Sequence, residues 1–152
     1  MANFKSNVIV IQEGADASAQ AQPSNYVGKL PLFHTCTYTL LSTEVANDTI
    51  QLMDLPAECV LIPQLSSVTC SDPGTALTLD IGDAADPDRY AVGISLSNGG
   101  QVGFGSTTAV AAGITTPFLP AATSRVYATV KTATTLTAGT VLNFLVAFRI
   151  KG

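Results

Sequence analysis

Tryptophan is absent from the 152 residues, and histidine occurs only once, as His34. Aromatic residues make up 7% of the chain, too few to line the stacking cleft of a sugar hydrolase. Any Ser/His/Asp or Cys/His arrangement would have to use His34 as its base. No Gly-x-Ser-x-Gly elbow is present. His34 opens the Thr/Tyr-rich stretch HTCTYTLLS, where a packed imidazole is expected. The chain is read as a non-enzyme.

Charge is also scarce. Charged residues are 12% of the chain, about half the ordinary share. The seven Lys+Arg form no basic run, which excludes a surface that tracks nucleic-acid phosphates. No apolar run approaches the roughly 20 residues that cross a bilayer as a helix. The run Val8–Ile11 near the start is too short for a signal-peptide core, so a soluble protein made in the cytoplasm is expected. The three cysteines, Cys36, Cys59 and Cys70, are an odd count with no Cys-x-x-Cys pair. They point to core thiols rather than a disulfide framework. His34 and Cys36 supply two ligands where a zinc site needs four. No cofactor and no metal are expected.

What is present is alternation. In TALTLDIG, Leu77, Leu79 and Ile81 share one face and Ala76, Thr78 and Asp80 the other. RVYATVKTA sets Val126, Ala128 and Val130 against Tyr127, Thr129 and Lys131. TVLNFLVAFRIKG lines up Leu142, Phe144, Val146, Phe148 and Ile150, opposite Asn143, Ala147 and Arg149. TIQLMDL places Ile50 and Leu52 opposite Gln51 and Met53. Successive strand side chains point to opposite faces, so each segment reads as a half-buried strand. The turn signals SDPGT, GDAADPD, SNGGQVGFG and TAGT recur every 8–12 residues or so, the rhythm of a sandwich or barrel. The expected fold is all-β: a jelly-roll-like β-sandwich of about eight strands with an extended N-terminal arm.

Asp80, Asp83, Asp86 and Asp88 crowd the stretch LDIGDAADPDRYAVG, with Arg89 beside them. Their spacing is not that of a helix–loop–helix calcium loop, and no terminal Glu follows. The stretch reads as strand, turn, short helical turn and strand. Asp86 is placed to cap the helical turn, Pro87 occupies its first position, and Arg89 is in reach of a carboxylate. The glycine-rich SNGGQVGFGSTT lacks the lysine of a phosphate loop and reads as a loop with positive-φ glycines.

Residues 1–33 differ from residues 34–152. FKSNVIVIQEG reads as one strand, and ADASAQAQPSNYVGKLPL offers little to a core. The chain divides into an N-terminal strand and arm, 1–33, and a sandwich domain, 34–152. The segment reads either as a flexible linker or, the reading favoured, as an extended arm that orders on a partner. Val8, Ile9, Val10 and Ile11 would add a strand to the partner's sheet, while Tyr26 and Leu30 would fill surface pockets.

Three stretches, LPAECVLIPQLSSVTC, LDIGDAADPDRYAVG and ATVKTATTLTAGTVLNFLVAFRIKG, together resemble capsid decoration (cement) proteins of tailed bacteriophages, over about residues 47–152. The resemblance implies a structural virion protein, made in the host cytoplasm, that binds the outer surface of a phage head and stabilises it. The implied partner is the major capsid protein, and the implied state is a homo-oligomer, a trimer before a dimer. A head-fibre or tail protein with the same sandwich is the alternative. A calcium-dependent carbohydrate-binding module using the Asp-rich turn is the alternative from another class.

Overall fold

The computed structural model describes residues 3–5, 31–97, 99–106 and 111–150, and the structure reported below is that of these residues. Two five-stranded sheets face each other. Sheet one has the order β1 (Asn3–Lys5), β3 (Thr49–Leu55), β9 (Ser124–Leu136), β6 (Gly74–Gly82), β7 (Ala91–Ser95). Sheet two runs β2 (Leu32–Thr39), β10 (Val141–Ile150), β5 (Ser67–Cys70), β8 (Gly100–Gly103), with β4 (Cys59–Leu61) also paired to β10. The pairing joins early strands to late ones: β2 with β10, β3 with β9, β5 with β8, β6 with β7. A long antiparallel ribbon wrapped into two sheets in this order is a jelly roll. β4 and β5 together fill one position, interrupted by Pro63, which opens a one-turn 3-10 helix at Pro63–Leu65.

The alternating segments supply the core between the sheets. Leu77, Leu79 and Ile81 of β6, Val126, Ala128 and Val130 of β9, and Leu142, Phe144, Val146 and Phe148 of β10 are all buried. β2 sends Cys36 and Tyr38 into the same core. β10 holds the centre of sheet two. It pairs with β2 from Val141 to Phe148 on one side, and with β5 and then β4 on the other. Between those two partners, Ala147 donates its N–H to the Ser66 hydroxyl (2.9 Å) and accepts from the Ile62 N–H (2.8 Å). The ladder therefore continues across the Pro63 break.

Three segments depart from the sequence expectation. In β3, Ile50, Leu52 and Met53 are all buried, because the register with β9 shifts between Gln51 and Met53. One extra residue in the bulged strand turns Met53 to the face that strict alternation denies it. At DPDRYA the chain makes a single turn closed by Arg89 N–H to the Asp86 carbonyl (3.4 Å), not a helix. The α-helix among the described residues is the one-turn α1 (Ala112–Thr115), between β8 and β9. At the N-terminus, Asn3–Lys5 pair in parallel with Thr49–Gln51 along the edge of β3. Val8–Ile11, Tyr26 and Leu30 lie outside the described residues.

Candidate interaction surfaces

The Asp-rich stretch is built as a brace for the turn between β6 and β7. Gly82 ends β6 with no room for a side chain: a Cβ there would sit 2.1 Å from the Asp86 carbonyl oxygen. Next to it, the Asp83 carboxylate is buried. Its Oδ1 accepts the N–H groups of Ala85 (2.9 Å) and Asp86 (3.0 Å), and its Oδ2 accepts from Arg89 Nε (2.7 Å). Asp83, not Asp86, is therefore the capping residue and the main partner of Arg89. Asp86 lies 3.7 Å from the same guanidinium, whose other side covers the Phe118 ring at 3.9 Å. This contact ties the β6–β7 turn to the segment entering β9. Asp80 is also engaged. It accepts from the Gly93 N–H (2.6 Å) and pairs with Lys131 (3.1 Å). A hydrogen bond shared with Asp86, followed by burial, raises the pKa of the Asp88 carboxyl. Among the described residues no group of three or more His, Cys, Asp and Glu is arranged to hold a metal ion.

His34 lies on the inward side of β2. Its ring stacks on Phe148 with centroids 5.2 Å apart and planes 13° from parallel. Burial lowers its pKa below 6.5, which keeps the imidazole neutral at pH 7. The three cysteines are buried in the core and form no disulfide, and burial raises the pKa of both the Cys59 and Cys70 thiols. In the β2–β3 loop, Glu44 is buried and its Oε1 accepts from the Tyr38 hydroxyl (2.6 Å) and the Leu41 N–H (2.7 Å). These polar groups brace the scaffold.

The outer faces of the two sheets differ in kind. Sheet one carries charge. Arg125 forks onto Asp54 (2.6 and 2.9 Å) and reaches Gln51 (2.8 Å), while Lys131 pairs with Asp80 across β9 and β6. Beside them, Thr49, Tyr127, Thr129, Asn47, Asp83 and Pro87 line a groove of about 410 Å³.

Between Val141 and Ala147 of β10, sheet two carries no charge on its outer side. The strand period that buries Cys36, Tyr38, Leu142, Phe144 and Val146 turns their neighbours outward. β2 contributes Phe33, Thr35, Thr37 and Thr39. Across the ladder stand Leu145, Asn143 and Val141 of β10, with Ala147 buried at the far end. The buried Ser67 and then Thr69 of β5 follow, and Gly103 and Gln101 of β8, with the Gln101 amide donating to the Ser67 hydroxyl (3.2 Å). The next outward position along β10, Arg149, is the first charge beyond this face and lines a separate cleft with Ile114 and Pro117. Two large exposed hydrophobic residues lie on this face, Phe33 (54% exposed) and Val141 (38%). Sequence reasoning missed this surface. Its signal was the outward half of the same alternation, Thr35-x-Thr37-x-Thr39, which carries no charge.

No protein-family model matches the chain, and no curated protein matches it. Among solved structures, the chain is similar to one from the capsid of Ralstonia phage GP4, with a TM-score of 0.73, 18% identity and 99% of each chain covered. The fold is shared with phage capsid chains. A chain of the cyanophage Pam1 capsid asymmetric unit aligns over 90% of this chain and 98% of its own, with a TM-score of 0.52 and 16% identity. At these identities the likeness is one of fold.

Proposed function

We propose that this protein is a structural component of a phage virion: a decoration protein that binds the outer surface of the head, contacts the major capsid protein and stabilises the shell. The observation that carries the reading is the match of the whole jelly roll, end to end, to a chain of the Ralstonia phage GP4 capsid. The use of the polar side chains agrees with it. The Asp-rich turn, His34 and Glu44 are engaged in holding the scaffold, and the outer surfaces offer contact area. Many weak contacts repeated over one shell give avidity that a single interface lacks. In this reading the chain self-associates, as a trimer first and a dimer second, and residues 1–33 strengthen attachment to the capsid through Val8–Ile11, Tyr26 and Leu30.

The test uses heads that lack the protein. Purified full-length chain should co-sediment with them saturably, and the decorated heads should release their DNA at a higher temperature than bare heads. A chain beginning at Pro31, just before β2, should keep a β-type circular dichroism spectrum and bind heads more weakly. Exclusive attachment to tails or to head fibres would replace the decoration reading with the second structural one.

A further inference from the structure

The geometry points to a further site: the groove on the outer face of sheet one binds a neutral saccharide unit, without calcium. This goes beyond the proposed function and is tested on the free chain, so it stands or falls separately from capsid attachment.

The groove is held open from both sides. Its floor is sheet: Thr49 of β3 lies across the ladder from Thr129 of β9, and Tyr127, two residues along β9, faces the same way. Opposite Tyr127 on β6 stands Gly82, which has no side chain to cover the tyrosine from that side. One wall is the turn carrying Ala84 and Pro87. It folds back onto Gly82 and is fixed by the buried Asp83 carboxylate. The other wall is Asn47, at the end of the β2–β3 loop. Its φ of 75° lies in the left-handed region, and its N–H donates to the Val130 carbonyl (2.8 Å). The buried Asp48 carboxylate accepts from the Val45 N–H (3.0 Å) and fixes that loop. Both walls are set before anything binds, which lowers the ordering cost of a ligand. A volume of about 410 Å³ is in the range of small-molecule sites.

The lining selects the ligand. Asp83 is the one charged residue among the described lining, and its carboxylate already serves Ala85, Asp86 and Arg89. The Asp-rich turn thus contributes a wall here, not a metal. Bordering the floor, Asp80 is paired with Lys131. An anion would meet carboxylates nearby and find no free cation in the lining. Asn47, Tyr127 and Thr129 have side chains that both donate and accept, and those side chains make no hydrogen bond within the described residues. Tyr127 and Pro87 add ring surface. A pyranose has the matching chemistry, with hydroxyls round its edge and C–H groups on its faces. A flat apolar ligand would strip water from Asn47, Thr129 and the Tyr127 hydroxyl and replace none of their hydrogen bonds. One tyrosine serves one sugar ring, which fits a chain with few aromatics; a cleft for a long polysaccharide would need several.

The experiment titrates the isotopically labelled full chain, in EDTA, with methyl glucoside, methyl galactoside and N-acetylglucosamine, and follows the backbone amide resonances. At least one sugar should bind saturably with a Kd of about 1 mM, as expected for a single ring. The shifts should centre on Asn47, Thr49, Ala84 and Thr129. Thr129→Val removes a hydroxyl and keeps the side-chain shape, and should weaken binding about tenfold. Asn47→Gly keeps the left-handed backbone, removes the amide and should also weaken it. Tyr127→Ala should abolish it, and Thr35→Val, on the other sheet, should change nothing. Glucuronate and tetramethylammonium are the charged controls and should leave the groove resonances unmoved. Melting curves identify the variants that keep the wild-type fold, and the wild-type titration decides the matter even where a variant does not. Failure of all three sugars to saturate well above millimolar concentration overturns the inference, as do shifts centred away from the groove. A charged control that binds as tightly as the sugars overturns it too, as does sugar binding that survives Thr129→Val and Tyr127→Ala unchanged.

Discussion

Replacing Asp83 with alanine removes the brace of the β6–β7 turn. The Asp83 side chain is 4% exposed and that of Arg89 is 16%. Two losses add. The N–H groups of Ala85 and Asp86 lose their shared acceptor, a capping loss of about 1 kcal/mol. The Arg89 guanidinium loses its close carboxylate. Breaking a buried pair costs about 3–5 kcal/mol, and Asp86 at 3.7 Å and the Phe118 ring hold this case to the lower end. The sum is about 4 kcal/mol. For a chain of this size each kcal/mol moves the melting temperature by about 2–4 °C, so Asp83→Ala should melt about 8–16 °C below wild type. Asp83→Asn separates the two losses. Its amide oxygen still accepts both backbone N–H groups, while the charge facing Arg89 is gone, so about 3 kcal/mol should be lost. Urea unfolding at pH 7, followed by circular dichroism, measures both variants, with unchanged slopes confirming that the same surface is exposed. A loss under about 0.5 kcal/mol for Asp83→Ala would refute the reasoning, because so small an effect is that of an ordinary surface position. Equal losses for both variants would refute the division between turn and charge.

Burial lowers the His34 pKa in the folded chain below its unfolded value of 6.5, so the unfolded state binds more protons as the pH drops. Stability should therefore fall from pH 7.5 to pH 5.5, and His34→Phe, which keeps a ring against Phe148, should flatten that dependence in urea titrations. Thiol reagent should find no reactive cysteine in the native protein and three per chain after denaturation without reductant; one thiol per chain would reveal a disulfide. Calorimetry with millimolar calcium or magnesium should show no saturable heat, because Asp80 and Asp83 already serve Lys131, Arg89 and backbone N–H groups. A stoichiometric site abolished by Asp83→Asn and Asp86→Asn would contradict that. Tyr38→Phe should cost about 1–3 kcal/mol in the same urea assay, since it removes a donor from the buried Glu44 carboxylate.

The strands that were legible in the sequence are those whose partners keep pace with them. β10 keeps one register with β2 throughout, and its inward set was readable from Leu142 to Phe148. β3 was not, because the bulge opposite Val126 depends on how β9 pairs with it. The Asp-rich stretch showed its structural character through irregular spacing and flanking turn residues. Which carboxylate does the capping depended on the close approach of Gly82 to Asp86, a backbone distance that composition does not encode. The uncharged face was hidden for a different reason. Its outward threonines in β2 and the Asn143 side of β10 are far apart in the chain, and become one surface only when the jelly-roll order sets those strands side by side.

The central place of β10 has a consequence for when the protein can fold. Thr39 finds its partner only in Val141, and β5, paired with β8 on its other side, joins β2 only through the same strand. While β10 is still inside the ribosome, sheet two has no middle, and β2, β4 and the β5–β8 pair emerge unjoined. Folding of sheet two therefore waits until β10 has left the ribosome. It follows the slow kinetics of long-range β pairing, about milliseconds to seconds, with open strand edges exposed until the last strand inserts. Any chain that stalls before Val141 cannot close the sandwich, so such a product is left to proteolysis or aggregation.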